Sequence, residues 1–580
     1  MISPTSPSPS DSPAGPLQED LHRREFLSYF SGVGLAGTLL PGVLWARLQE
    51  EPELTADMLA DAEKVAGLEF TEEERETMLR GLERNLEAYR ALREQPIPNE
   101  VPPALHFDPV LPGAETPSVV RPFRPSRAPS VTRPRDLEEV AFWPLTHLSE
   151  LIRSRQVTSE ELTRMYLERL GRHGPTLECV VSLTEELALR QARRADEELA
   201  LGRYRGPLHG IPWGAKDLLS VRDYPTTWGA KPFENQLIEE DATVVRRLEE
   251  AGAVLVAKLT LGALAMGDVW FGGRTRNPWD PEQGSSGSSA GSAAATVAGL
   301  VGFAIGSETL GSIVSPSTRC GATGLRPTFG RVSRAGAMAL SWSMDKLGPL
   351  CRTVEDCALV LRAIHGADDV DPTARTVPFN WDAGRPLSDL RIGYFRRAFE
   401  DEESRYHAFD LRALEALRDL GVDPVAVDLP EEYPLGALRI VLNAEAAAAF
   451  DQLTRSGRDD LLVRQDAGAW PTAFRRARLI PAVEFIQANR VRTMVMGAVG
   501  RALEGIDVFI TPSYGDDVLL MTNLTGHPVV VLPSGFDEEG HPASISFVGK
   551  LWGEAEALRV AQVWQEATGH HRKHPPAFVG

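Results

Sequence analysis

An α/β fold, with one large sheet covered by helices on both faces, is what the sequence predicts, and three observations carry that prediction. A helical pattern that Asp241 can cap runs through Leu248, stops at Gly252 and gives way to the wholly apolar run Ala253-Val254-Leu255-Val256-Ala257. A short apolar run behind a glycine stop is how a strand buried on both faces reads, the usual state of strands in parallel sheets. The scheme recurs at Arg391-Ile392-Gly393-Tyr394, Val508-Phe509-Ile510 and Pro528-Val529-Val530-Val531-Leu532. Finally, helices and strands alternate over about 430 residues without an internal repeat, which predicts a large mixed, mostly parallel sheet rather than a solenoid.

Each part of the chain has its own signature. Residues 1–50 read as a disordered Pro/Ser-rich leader followed by His22-Arg23-Arg24 and the weakly hydrophobic, glycine-containing run from Phe26 to Ala46. Paired arginines ahead of such a run resemble a twin-arginine export signal, and the glycines make it a poor permanent membrane helix. The expectation is an exported, periplasmic protein that engages the export machinery, with a membrane tether if the segment is retained. Residues 51–95 predict a helical hairpin. Met58, Leu59 and Ala62 recur at helical spacing, Thr71 and Glu74 make a capping box, and Met78, Leu79, Leu82, Leu86 and Tyr89 share a face. The hairpin packs on the following domain or, as the alternative, makes a homodimer contact. Residues 96–140 form a Pro-rich linker, and 141–575 the catalytic domain, in which Thr158 and Glu161 cap an early helix.

The chain has 580 residues, 43% of them hydrophobic, 24% charged, with a formal net charge of -20. That composition supports a large core and gives no general electrostatic reason to bind nucleic acid. The four cysteines show neither CxxC pairing nor a histidine at zinc spacing, and HExxH and GxxxxGK[ST] are absent from the sequence. Neither a metal site nor an organic cofactor is called for.

Chemistry concentrates in three segments. Residues 284–292 read Gly-Ser-Ser-Gly-Ser-Ser-Ala-Gly-Ser; a small-residue helix follows to about Leu300, then the strand Val301–Ile305, then the turn Gly306-Ser307-Glu308-Thr309-Leu310-Gly311-Ser312. Small residues allow close backbone approach, and successive N–H groups in such a turn can hold an oxyanion. Upstream, Gly206 to Ala215 surrounds Lys216 with apolar and small residues. A lysine buried there loses hydration and becomes a base near neutrality, whereas a surface Lys216 paired with Asp217 would have no such role.

Together these segments resemble the amidase-signature family. The matches are Lys216 after a G-x-P-x-x-x-K segment, the loop Ser286-Gly287-Ser288-Ser289-Ala290-Gly291-Ser292, and the turn from Gly306 to Ile313. The spacing from Ser288 to Ser312 is the family's 24 residues, and Ala265-Met266-Gly267, Arg276-Asn277-Pro278-Trp279, Cys320 to Thr328, and Asp345 ahead of Gly348-Pro349 also match. The resemblance implies an amidase-signature fold and hydrolysis of a small-molecule amide. Ser312 is then the nucleophile, Ser288 the proton relay and Lys216 the base. The backbone N–H groups of Thr309, Leu310, Gly311 and Ser312 form the oxyanion hole, and Met266, Gly267 and Ser289 contact substrate. Three positions depart from the pattern: Glu308 for Asp, Leu310 for Gly, and Val314 for Arg. With Val314 in place of the usual arginine, Glu308 is expected to pair with Arg319.

Two other enzymatic readings remain. One is the ammonia-releasing A subunit of a tRNA-dependent amidotransferase, which shares this family core; the export signal and acidic charge weigh against it. The other treats Gly287-Ser288-Ser289-Ala290-Gly291 as a nucleophile elbow, with Ser289 attacking and His527 as base. An elbow needs a strand directly before it, and the prolines of 277–283 disfavour one.

Overall fold

The computed structural model describes residues 54–95, 107–113, 116–515 and 517–579, and the chain divides into two units, Met1–Arg84 and Asn85–Gly580. The leader expected over 1–50 lies outside the described residues, among which no helix is long and apolar enough to cross a membrane. In the first unit α1 (Ala56–Ala66) begins where Thr55 accepts a hydrogen bond from the Met58 N–H and ends at Gly67, whose φ of 64° suits glycine. The second helix, α2 (Glu72–Arg93), starts at a reciprocal capping pair. Thr71 N–H donates to Glu74 at 2.7 Å, and Glu74 N–H donates to Thr71 Oγ1 at 3.3 Å. The buried Glu63 carboxylate ties the two helices together by accepting from Arg75 at 2.9 Å and from the Phe70 N–H at 3.1 Å.

The second unit takes in the last turns of α2, where Tyr89 and Leu92 enter a hydrophobic core. Its centre is an eleven-stranded sheet. In chain order the strands are β1 (Val180–Leu183), β2 (Pro212–Lys216), β3 (Val254–Leu259), β4 (Phe303–Glu308), β5 (Thr323–Arg326) and β6 (Lys346–Cys351), then β7 (Ile392–Phe395), β8 (Val425–Val427), β9 (Val508–Pro512), β10 (Val529–Phe536) and β11 (Pro542–Gly549). Across the sheet they run β1-β3-β2-β4-β6-β5-β10-β11-β9-β7-β8. The sheet is mixed, as expected. Parallel pairing joins β3, β2 and β4 in one block and β9, β7 and β8 in another. Between the two blocks neighbouring strands are antiparallel. Apolar runs report that both faces are covered; strand direction is set by the connections, which is why the antiparallel middle was not legible from the runs.

Side-chain alternation divides the core by face. Leu255, Phe303, Ile305, Val508, Ile510, Val530 and Leu532 join one continuous core along one face. Their neighbours point the other way into two separate cores: Val254, Val256 and Ala304 into one, and Phe509, Val529 and Val531 into the other. Helix α3 (Ser159–Leu177) carries the predicted Thr158–Glu161 capping box in full. Asp241 caps no helix; its carboxylate accepts from the Arg222 N–H at 2.7 Å, and Ala242 takes the cap position. The residues before the serine loop also differ from expectation. Arg276–Asn277 and Asp280–Gly284 pair as a two-stranded ribbon, whose edges tolerate Pro281.

Candidate active site

Two strands end at the site. β2 is buried throughout and places Lys216 at its carboxyl end; β4 lies parallel beside it and ends at Glu308. The carboxyl ends of adjacent parallel strands are where open α/β sheets bind ligands. Helix α4 (Ala290–Val297) starts directly after Ser289 and consists of small residues, all buried, which lets it lie close against β4. Helix α5 (Val314–Cys320) follows the turn after β4. Ile313 packs into one of the two smaller cores and Val314 into the other, so the turn bearing Ser312 sits where they meet.

Lys216 is completely buried and faces hydroxyls rather than carboxylates. Its Nζ donates to Ser288 Oγ at 2.8 Å, Ser307 Oγ at 2.8 Å, Ser289 Oγ at 3.0 Å and the Ser307 carbonyl at 3.4 Å. Loss of hydration drives the amine's pKa well below the usual lysine value, against the upward pull of Asp345 and Glu308. Asp217, its chain neighbour, belongs to another pair: Asp217 Oδ1 lies 2.7 Å from Lys258 Nζ, both groups buried.

The serine loop and the turn are joined through backbone. The Ser289 N–H donates to the Ser312 carbonyl at 3.1 Å. The Gly287-Ser288 peptide is cis. A Cβ on Gly287 would stand 1.9 Å from the Gly267 carbonyl oxygen, so only glycine fits there. Among the described residues, no hydrogen bond joins the Ser288 and Ser312 hydroxyls at rest. Ser312 keeps 8% exposure, against 1% for Ser288.

Glu308 organises the turn. Its Oε2 accepts from the N–H groups of Ile313 at 2.8 Å and Val314 at 3.0 Å, and its Oε1 from Arg326 at 2.7 Å and Asn523 at 2.8 Å. Burial pushes this carboxyl up, but the Arg326 charge and the Val314 amide override it and hold the pKa at about 2. The expected Glu308–Arg319 pair is therefore not formed; Arg319 donates to Gln283 at 2.9 Å instead. Arg326, the last residue of β5, is fully buried beside Glu308, whereas Arg319 on α5 is only partly buried. With Glu308 engaging the amides of 313 and 314, those of Thr309, Leu310, Gly311 and Ser312 find no acceptor among the described residues. Gly311 holds φ at 83°, which turns the chain so that these donors fall in succession. Thr309 Oγ1 donates to Asp345 at 2.6 Å, and Asp345 also accepts from the N–H groups of Leu340 and Ser341.

The remaining predicted positions fall less neatly. The Ser289 hydroxyl is spent: it donates to the Ser307 carbonyl at 3.0 Å and accepts from the Ser307 N–H at 3.1 Å and from Lys216. It holds the lysine's surroundings together rather than facing a substrate space. Ala265, not Met266 or Gly267, lines the cavity of about 760 Å³ that also meets Ser307, Thr309 and Asp345. Met266 lines a separate small hollow, and the Gly267 carbonyl presses on Gly287. His527 is buried, bonded to Thr525 at 2.7 Å, and held at a pKa of about 3 by burial and the Arg326 charge. Its contacts do not include Ser289, which removes the elbow reading on geometric grounds. Ser307 was missed as a lysine partner. Its one signal was its place in the small-residue turn, which does not say which way its hydroxyl points.

Comparison with known proteins supplies the class. The amidase family model matches residues 161–517. The glutamyl-tRNA(Gln) amidotransferase A subunit of Moorella thermoacetica is 34% identical over 489 residues, covering 76% of this chain and all of that protein. That of Roseiflexus castenholzii is 36% identical over 471 residues, covering 73% of this chain and 96% of the relative. Among solved structures, a peptide amidase in complex with the competitive inhibitor chymostatin aligns with a TM-score of 0.66 at 30% identity, covering 75% of this chain and 99% of that one. The native peptide amidase from Stenotrophomonas maltophilia aligns at 0.65 and 28%, covering 76% and 100%. Fold and likeness define an enzyme acting on amide C–N bonds. The chain belongs to the amidase family, with the amidase-signature fold.

Proposed function

We propose that the protein hydrolyses a small-molecule carboxylic amide through Ser312, Ser288 and Lys216. The observation that supports this most is a buried amine, its pKa lowered by loss of hydration, bonded to the Ser288 hydroxyl beside a turn with unoccupied N–H donors. A serine hydroxyl needs a base to attack a carbonyl. Lys216 takes the Ser288 proton as Ser288 takes that of Ser312, whose oxygen adds to the amide carbon. The N–H groups of Thr309 to Ser312 receive the negative charge on the carbonyl oxygen. The proton then returns through Ser288 to the departing nitrogen, which leaves as an amine, and water frees the acyl group from Ser312. The Ser288–Ser312 contact, open at rest, closes as substrate orders the turn; catalytic hydrogen bonds commonly tighten in this way on binding. Labelling of the purified chain by a serine-directed fluorophosphonate, lost in Ser312→Ala and retained in Ser289→Ala, is the expected result. Labelling that survives Ser312→Ala would remove the nucleophile.

Likeness to amidotransferase subunits over their full length supports a second reading, release of ammonia from glutamine inside a tRNA-dependent assembly. The net charge of -20 and the leader with Arg23 and Arg24 favour the first. That leader also underlies the proposed periplasmic location. In cell fractionation the wild-type chain is expected in the periplasmic or membrane fraction, and Arg23→Lys/Arg24→Lys in the cytoplasm. Co-purification with a tRNA-binding protein of the assembly would reverse the choice.

A further inference from the structure

The cavity that meets the oxyanion turn carries its own specificity signal. Its walls are largely apolar, with Leu218, Met338, Leu340, Trp342, Ile480 and Phe485 among them. Four charged side chains reach it: Arg334, Asp345, Asp371 and Glu445. The one cation is spent, because Arg334 donates to Asp371 at 3.1 Å, to Thr373 at 2.9 Å and to the Trp342 carbonyl at 2.7 Å. Asp345 is equally occupied, by Thr309 and the amides of 340 and 341.

Glu445 differs from these. It stands half-buried on α6 (Arg439–Ala449). Its Oε2 accepts from Ser341 Oγ and from the Ser343 N–H at 3.1 Å, while no donor among the described residues reaches Oε1. One oxygen is thus fixed by the loop and the other has no donor among the described residues; the buried Arg492 acts on this carboxylate through its charge while donating its hydrogen bonds to Ser343 and Leu524. Hydrogen bonds also tie this carboxylate to the site: Glu445 to Ser341, Ser341 to Asp345, and Asp345 to the Thr309 of the oxyanion turn. A carboxylate held at one oxygen in an apolar pocket is a ready partner for an ammonium, since a charge-assisted hydrogen bond gains strength away from water.

We propose that Glu445 is a specificity-determining residue, selecting amides whose apolar chain ends in a protonated amine and disfavouring those that end in a carboxylate. The inference rests on the reading of Ser312 as the nucleophile of the turn whose Thr309 lines this cavity, and it names the substrate class for that site.

Three p-nitroanilides test it: those of 5-aminopentanoic acid, of hexanoic acid, and the mono-anilide of adipic acid. They share a chain and differ in an ammonium, a methyl or a carboxylate at its end. The wild-type enzyme is expected to show kcat/KM in the order amine, methyl, carboxylate. In Glu445→Gln the amine-to-methyl ratio should fall about tenfold or more, the scale of a lost charge-assisted hydrogen bond. Equal rates for amine and methyl in the wild type, or a ratio unmoved by Glu445→Gln, would overturn the proposal and leave the nucleophile standing. Calorimetry on Ser312→Ala with 5-aminopentanamide and hexanamide separates the two ideas. Tighter binding of the amine without turnover by the wild type supports Glu445 and removes the nucleophile assignment. Equal binding removes Glu445.

Discussion

Two buried lysines stand on neighbouring strands of this sheet and have opposite surroundings. Lys216 ends β2; Lys258 lies one residue from the end of β3. In the parallel register Lys258 is level with Ala215, and Lys216 with Leu259, so the two side chains leave opposite faces of the sheet. Burial lowers the pKa of both. Lys258 meets a carboxylate, Asp217, with further bonds to the Pro225 carbonyl and Thr226, and that pairing opposes the loss of its charge. Lys216 meets hydroxyls and one carbonyl, none of which supplies a compensating charge. What separates Lys258 from Lys216 is therefore the partner and not the depth. Asp217, adjacent to Lys216 in sequence, serves the other lysine because alternation turns it to the other face.

Substitutions put this contrast to the test. Ser312→Ala carries the largest expected effect, a loss on the order of a millionfold in kcat, as for other serine nucleophiles acting within a relay. Lys216→Ala should follow at roughly ten-thousandfold, with the fold retained by circular dichroism; full activity in that variant would refute the assignment of the base. Lys258→Met should act on the other quantity. It strands Asp217 as a buried charge, so denaturant unfolding should show a loss of about 3–5 kcal/mol, while the pH profile of any residual activity keeps its shape. If that profile moves instead, the two lysines have been assigned in reverse.

Acidity gives two further tests. In the proposed mechanism the conjugate base of Lys216 is the active form, so kcat/KM should rise with pH through its lowered pKa. That limb should lie well below pH ~10.4, where a solvated lysine titrates. Glu308 works in the opposite sense on stability. Its folded pKa of about 2 lies beneath its ordinary value, so its contribution is complete above pH ~4.3 and fades as pH falls toward 2. Glu308→Gln should flatten that acid dependence in a melting series. Arg319→Ala should do least, within ~1 kcal/mol, since Arg319 braces Gln283 and not the turn.

Much of the site was legible because its parts are local. The serine loop, the small-residue helix and the second turn announce themselves by composition, and their backbone consequences follow within a few residues. The strand Phe303–Glu308 began two residues later than expected, since Gly302 precedes it. The Glu308 partner was misread because Arg319 is nearer in sequence, while Arg326 reaches the carboxylate from β5 across the core. At residues 265–267, too, the sequence does not say which residue turns inward: the loop supplies Ala265 to the cavity and uses Gly267 to seat Gly287.

Residue order alone specified the α/β class and the three chemical segments, and it singled out Lys216, Ser288 and Ser312, with the 24-residue interval between the two serines, as the residues now proposed to carry the reaction. Periodicity and residue type suffice for that, because they act over one helix, strand or turn. Packing in three dimensions settled which of Lys216 and Lys258 meets a carboxylate, which arginine holds Glu308, and which turn amides are left without acceptors. Those outcomes depend on strand order and on the face each side chain leaves. Interaction energies between buried charges depend on separation in space, and sequence distance carries almost none of that information.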